Sequence, residues 1–128
     1  LGSELVADVT PLLPGLDAMI TDYSSLAFDA SLAPLPVVFF APDLDDYVAR
    51  RGMYGTYADV AGGEWATDWA AAVAQVDAVL GDEDTRRHLL ARAAERSSAV
   101  HAFVDGGNAG RVHAEIVART RREGRGRR

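Results

Sequence analysis

Between Met19 and Asp29 the chain reads MITDYSSLAFD, with Thr21, Asp22, Tyr23, Ser24 and Ser25 in five consecutive positions between apolar patches. Hydroxyls at such a point serve one of two ends. They cap the first turn of a helix, or they join its unpaired backbone N–H groups in holding an anion such as phosphate. Asp22 fits the second use poorly, because a carboxylate and a phosphate repel at close range. Its expected work is to accept an amide hydrogen bond or fix the loop. For Ser24 and Ser25 the capping role and the phosphate role both stay open.

Other groups able to do chemistry are scattered. Asp43 either orients a ribose or organises its loop, and Arg51 either reaches a phosphate or ribose hydroxyl or pairs locally beside Arg50. Arg111 follows a glycine-rich break, where it faces a cleft or closes the break structurally. His88, His101 and His113 fall in expected helices and read as surface or partly buried side chains. There is no cysteine, so disulfides and thiolate metal sites are excluded.

The elements that must position these groups alternate in type. Pro11 opens a helical turn in PLLPGL, DAMIT reads as a buried strand, and SSLAFDASLA follows as a helix. LPVVFFAP, Leu35 to Pro42, is β-branched and aromatic on both faces, as a strand covered on both sides of a parallel sheet should be. Residues 43–64, with four glycines and several aromatics, read as a long functional loop. Thr67 is the expected N-cap of an alanine-rich helix with Trp69, Val73, Val76 and Leu80 on its apolar stripe. A second helix spans 82–104 with Leu89, Leu90, Ala93 and Val100 inward, and a last one begins at Arg111. The pattern β, α, β, loop, α, α, α predicts an α/β fold with a Rossmann-like parallel sheet. Ligands of such sheets bind at the carboxyl ends of the strands, where Thr21 to Ser25 fall.

Composition bounds the rest. The chain has 128 residues, 48% hydrophobic and 25% charged, which suits one globular domain. No apolar run approaches the roughly 20 residues of a membrane helix, and no secretory signal is visible. All 13 basic residues are arginine, and six of them lie in the last ten positions against one acid, Glu123. That segment carries +5 and the remaining 118 residues −11, so the body is not expected to hold nucleic acid. Residues 1–118 are expected to form one folded unit and 119–128 an arginine-rich disordered tail able to touch an anionic membrane.

Four ordered motifs add a resemblance. Ile20 to Ser25, then Phe28 and Asp29, then Pro42, Asp43 and Tyr47 with Arg51 to Tyr54, and late Asp105, Gly106, Arg111 and Val112 together resemble the C-terminal region of the CDP-glycerol glycerophosphotransferase family, the teichoic acid polymerases and primases. The likeness runs from about Val6 to Val117. It implies the C-terminal donor-binding part of a GT-B type transferase, two Rossmann-like domains facing across a cleft. The implied donor is CDP-glycerol or CDP-ribitol, and the implied acceptor a polymer or lipid-linked hydroxyl; the resemblance implies no metal or other cofactor. Thr21, Ser24 and Ser25 would hold the donor pyrophosphate, with Asp22, Asp43, Arg51 and Arg111 as further donor-site or loop contacts. The resemblance further implies a cytoplasmic protein with peripheral contact to the inner face of the membrane, and an N-terminal domain upstream of Leu1. Histidines proposed for the family as base and phosphate contact belong to motifs this chain lacks. No catalytic residue is therefore assigned, and the chain alone is expected not to transfer glycerol phosphate. Two other readings compete: a GT-B transferase or epimerase using another nucleotide sugar, and a non-catalytic α/β interaction module.

Overall fold

The computed structural model describes residues 4–125. Strands β1 (Met19–Thr21) and β2 (Val37–Phe39) run parallel, with Met19, Ile20 and Thr21 opposite Val37, Val38 and Phe39. Parallel neighbours need a crossover, supplied here by the short helix α1 (Leu26–Ala30) and the turn after it. A 3-10 turn at Thr10–Gly15, with Pro11 at its start, precedes β1 and packs on α1. Beyond β2, Ala66 extends the pairing by one parallel bridge, donating to Phe39 O and accepting from Ala41 N, each at 2.8 Å. The fold is α/β, with a small two-stranded parallel sheet and mostly helices.

The β2 strand is buried on both faces, as its unbroken apolar run requires. It is shorter than the run because Pro36 and Pro42, lacking N–H groups, cannot extend the ladder. The outer face of β1 departs from expectation. Ile20 is 37% exposed because the long helices cover β2 rather than β1. Tyr57, Phe39, Val37, Leu13, Ala27 and Ala30 form the centre of the core.

The segment read as one loop folds instead into α2 (Leu44–Arg51) and α3 (Tyr57–Ala61). In α2 Asp45 and Asp46 lie in the first turn and Arg50 and Arg51 in the last, which complements the helix dipole. Thr56 and Asp59 form a reciprocal capping box at the start of α3. At its end Gly62 has φ +81°, and a Cβ there would lie 1.5 Å from Arg92 Nη2. Helix α4 (Trp69–Gly81) is capped by Asp68, whose carboxylate accepts from Ala71 N at 2.8 Å, rather than by Thr67. Its buried positions are Ala72 and Val79, while Trp69, Val73 and Leu80 stand outside. Small residues let α4 approach α5 (Glu83–Val100) and β2 closely, and that turns the larger stripe outward.

Helix α5 stops at Val100, and α6 (Asn108–Arg125) starts three residues before Arg111. Arg111 donates to Asp105 and Asn108 and lies 4.0 Å over the Phe103 ring, so it closes the DGGNAG break. Residues 119–125 of the segment expected to be disordered continue α6, in keeping with arginine's good helix propensity and a 2.6 Å Glu115–Arg119 pair one turn apart. Residues 126–128, also assigned to that tail, lie outside the described residues.

Candidate functional site

At the carboxyl end of β1 the chain turns sharply, and Asp22 and Ser24 find local partners. The Asp22 carboxylate accepts from Ser24 N at 3.0 Å, and Ser24 Oγ accepts from Leu26 N at 3.2 Å. Ser25 sits at the N-cap of α1 but makes no side-chain cap bond. The backbone amides of Ala27 and Phe28 bond back to Ser24 O and Ser25 O. Fewer amides are therefore free for an anion than a bare strand-to-helix turn would offer. The Ser24 and Ser25 hydroxyls keep their O–H donors.

These residues open onto a hollow of about 260 Å³ lined by Asp22, Ser24, Ser25, Phe28, Met53 and four tyrosines: Tyr23, Tyr47, Tyr54 and Tyr57. The aromatic wall is ordered from below. Tyr23 stacks on Tyr47 with ring centroids 3.8 Å apart and meets Tyr57 at 5.3 Å, while Tyr57 meets Phe39 of β2 and Trp65 edge-on. Gly52 and Gly55, with φ +70° and +80°, reverse the backbone on either side of Met53 and Tyr54, leaving the Tyr54 side chain fully in solvent at the mouth.

Two phenol hydroxyls hold this wall to the turn. Tyr23 donates to Asp43 Oδ1 at 2.8 Å, and Tyr57 donates to the Asp22 backbone oxygen at 3.1 Å. Partial burial, then the hydrogen bond to Asp43, raise Tyr23 to about 12. Burial, with Tyr23 and Asp22 adding, pushes Tyr57 further above the usual phenol range. Both hydroxyls remain protonated donors at neutral pH.

Of the residues singled out in the sequence, Asp22, Ser24 and Ser25 line the hollow. Thr21 is buried at the end of β1, with its carbonyl accepting from Phe40 N. Asp43, at the N-cap of α2, accepts from Tyr23, Arg51 sits in the last turn of α2, and Arg111 is engaged with Asp105; none of the four is in the lining. His101 ends α5 with Nε2 3.1 Å from Phe28 O, a structural tie to α1. Among the described residues no three His, Asp or Glu side chains could hold a metal ion. The sequence reading passed over Tyr57. Its signal was a tyrosine directly after the N-cap Thr56 of a Thr-x-x-Asp capping pattern, which marks a helix start able to carry an inward side chain.

The family model for CDP-glycerol:poly(glycerophosphate) glycerophosphotransferase matches residues 4–118. The chain belongs to this glycerophosphotransferase family. Among its relatives, a teichoic acid poly(ribitol-phosphate) polymerase of Bacillus spizizenii is 42% identical over 52 residues, 41% of this chain and 8% of that protein. A teichoic acid ribitol-phosphate primase of the same organism is 50% identical over 38 residues, 30% of this chain and 10% of its own length. The teichoic acid glycerol-phosphate primase of Bacillus subtilis is 35% identical over 63 residues, 45% of this chain and 16% of its own. This member of the family thus spans less than a fifth of the length of these relatives. No solved structure matches it.

Proposed function

We propose that this chain is the donor-binding part of a polyol-phosphate transferase of teichoic acid synthesis, a Rossmann-like half of a GT-B enzyme, and that the hollow above β1 takes CDP-glycerol or CDP-ribitol. The observation that carries the reading is the juxtaposition of the Ser24 and Ser25 hydroxyls with an aromatic wall at the carboxyl end of a parallel strand. At about 260 Å³ the hollow is smaller than the ~300 Å³ at which enclosed ligand pockets begin. That suits one wall of a cleft whose other wall lies elsewhere in the protein.

In the proposed reaction an acceptor hydroxyl oxygen attacks the polyol-side phosphorus of the donor. The bond from that phosphorus to the oxygen bridging it to CMP breaks, and CMP leaves with the electron pair. The acceptor proton passes to a base that we do not assign to this chain. Ser24 and Ser25 donate to the pyrophosphate oxygens, where charge grows as CMP departs; donors fixed in advance at such a point lower the barrier. Asp22 contributes by spending its charge on the Ser24 amide rather than facing the donor. The acceptor lies on a lipid or polymer, and attachment of α6 to an anionic membrane surface belongs to the same proposal. Its Val112 and Ile116 are more than half exposed, and arginines crowd its C-terminal end.

Titration with CDP, UDP and GDP tests the donor site, with CDP expected to bind most tightly. The two serines have unequal side effects. Ser25→Ala removes a hydroxyl without a cap bond, so it should weaken CDP binding about tenfold, as expected for a hydrogen bond to a charged group, and leave the melting temperature unchanged. Ser24→Ala also loses the bond to Leu26 N and should lower the melting temperature as well. Tighter UDP binding would favour a different nucleotide-sugar enzyme, and no nucleotide binding would favour an interaction module.

A further inference from the structure

Tyr57 is 4% exposed and begins a helix of only five residues. Its ring is fixed on three sides by Tyr23 and Trp65, each at 5.3 Å, and by Phe39 at 6.0 Å. Its single polar atom reaches across 35 positions of sequence to the Asp22 carbonyl. Asp22 is consequently held at both ends, by the Tyr57 hydroxyl on its backbone oxygen and by the Ser24 amide on its carboxylate. Tyr23 returns the tie by donating from the same turn to Asp43, at the head of α2. A phenylalanine would fill the same space as Tyr57, so what the hydroxyl adds is direction: it fixes where the Asp22 carbonyl points, and with it the path of residues 22–25.

We propose that Tyr57 is a positioning residue of the donor site, setting through the Asp22 carbonyl the orientation in which Ser24 and Ser25 present their hydroxyls to a phosphate. The proposal rests on the reading of the hollow as a CDP-polyol site. It places the control of the turn in α3 rather than in α1. A hydroxyl turned so that its O–H no longer points at its acceptor loses strength steeply once the angle falls below about 120°, so the effect should fall on phosphate-bearing ligands and spare the nucleoside.

The test compares the chain with Tyr57→Phe and, as a stability control, Val79→Ala, which removes buried volume in α4 away from the hollow. CDP and cytidine affinities, melting temperature and amide hydrogen exchange at Ser24 and Leu26 are measured on each. Tyr57→Phe is expected to weaken CDP about tenfold, to change cytidine less than twofold, and to speed exchange at both amides. Val79→Ala is expected to lower the melting temperature at least as far with CDP affinity retained. CDP affinity within twofold of the parent for Tyr57→Phe, or a parallel fall of CDP and cytidine, overturns the proposal. If the parent chain binds no CDP, the donor-site reading fails by itself. Exchange then still decides: unchanged rates at Ser24 and Leu26 in Tyr57→Phe remove the positioning role, and faster rates confined to the turn uphold it.

Discussion

A carboxylate in a turn crowded with hydroxyls needs an occupation, and Asp22 has one in the Ser24 amide. That much follows from charge alone and was legible in the sequence. The role of Tyr57 was not, since nothing local marks a hydroxyl whose acceptor lies 35 residues away. Arg111 shows the same limit in reverse. Type and position allowed a cleft-facing role, but the guanidinium forks onto Asp105 and caps the Phe103 ring. The Arg111 hydrogen bond, followed by that from Gly107 N, holds the Asp105 carboxyl down at about 2. A depressed carboxylate supports the fold fully above its unfolded value near 4 and loses that support as pH falls through the folded value. Asp105 should therefore titrate near pH 2 by carboxyl NMR, and Arg111→Ala should bring it back toward 4. A titration near 4 in the parent chain would mean that the pair does not persist in solution.

At the scale of elements, apolar runs were read correctly where burial is two-sided, as for β2, and poorly where chemistry is local and short. Residues 43–64 contain two helices that each bury few side chains, so no long periodic stripe announces them; their evidence is the acid-to-arginine order of α2 and the capping box of α3. In α4 the apolar spacing of Trp69, Val73 and Leu80 was real but faces outward, because helix packing selected the small Ala72 instead. Neighbouring cap residues are also indistinguishable by type: Thr67 and Asp68 both qualify, and only geometry shows Asp68 reaching Ala71 N. Asp68→Ala is accordingly expected to cost about 1 kcal/mol and lower the melting temperature by a few degrees. Thr67→Ala should leave it unchanged. Equal losses in thermal denaturation would return the cap to Thr67.

For the whole molecule the dominant feature is an acidic body with a basic amphipathic end. Among the described residues no helix is long and apolar enough to cross a membrane. Attachment through α6 would rely on Val112 and Ile116 together with the arginines, each basic residue near an anionic surface contributing on the order of 1 kcal/mol. Truncation after Ala118 should reduce binding to anionic vesicles at low salt, and raising the salt should weaken binding of the parent chain toward that of the truncated one; identical cosedimentation of the two forms would leave α6 without that role. The edge-on contact between Trp65 and Tyr57 has a different consequence. One of the two indoles in the chain, Trp69, stands mostly in water, while the other rests against the floor of the hollow. With Trp69 replaced by phenylalanine, indole emission comes from Trp65 alone, and a ligand entering the hollow as proposed above should shift that emission.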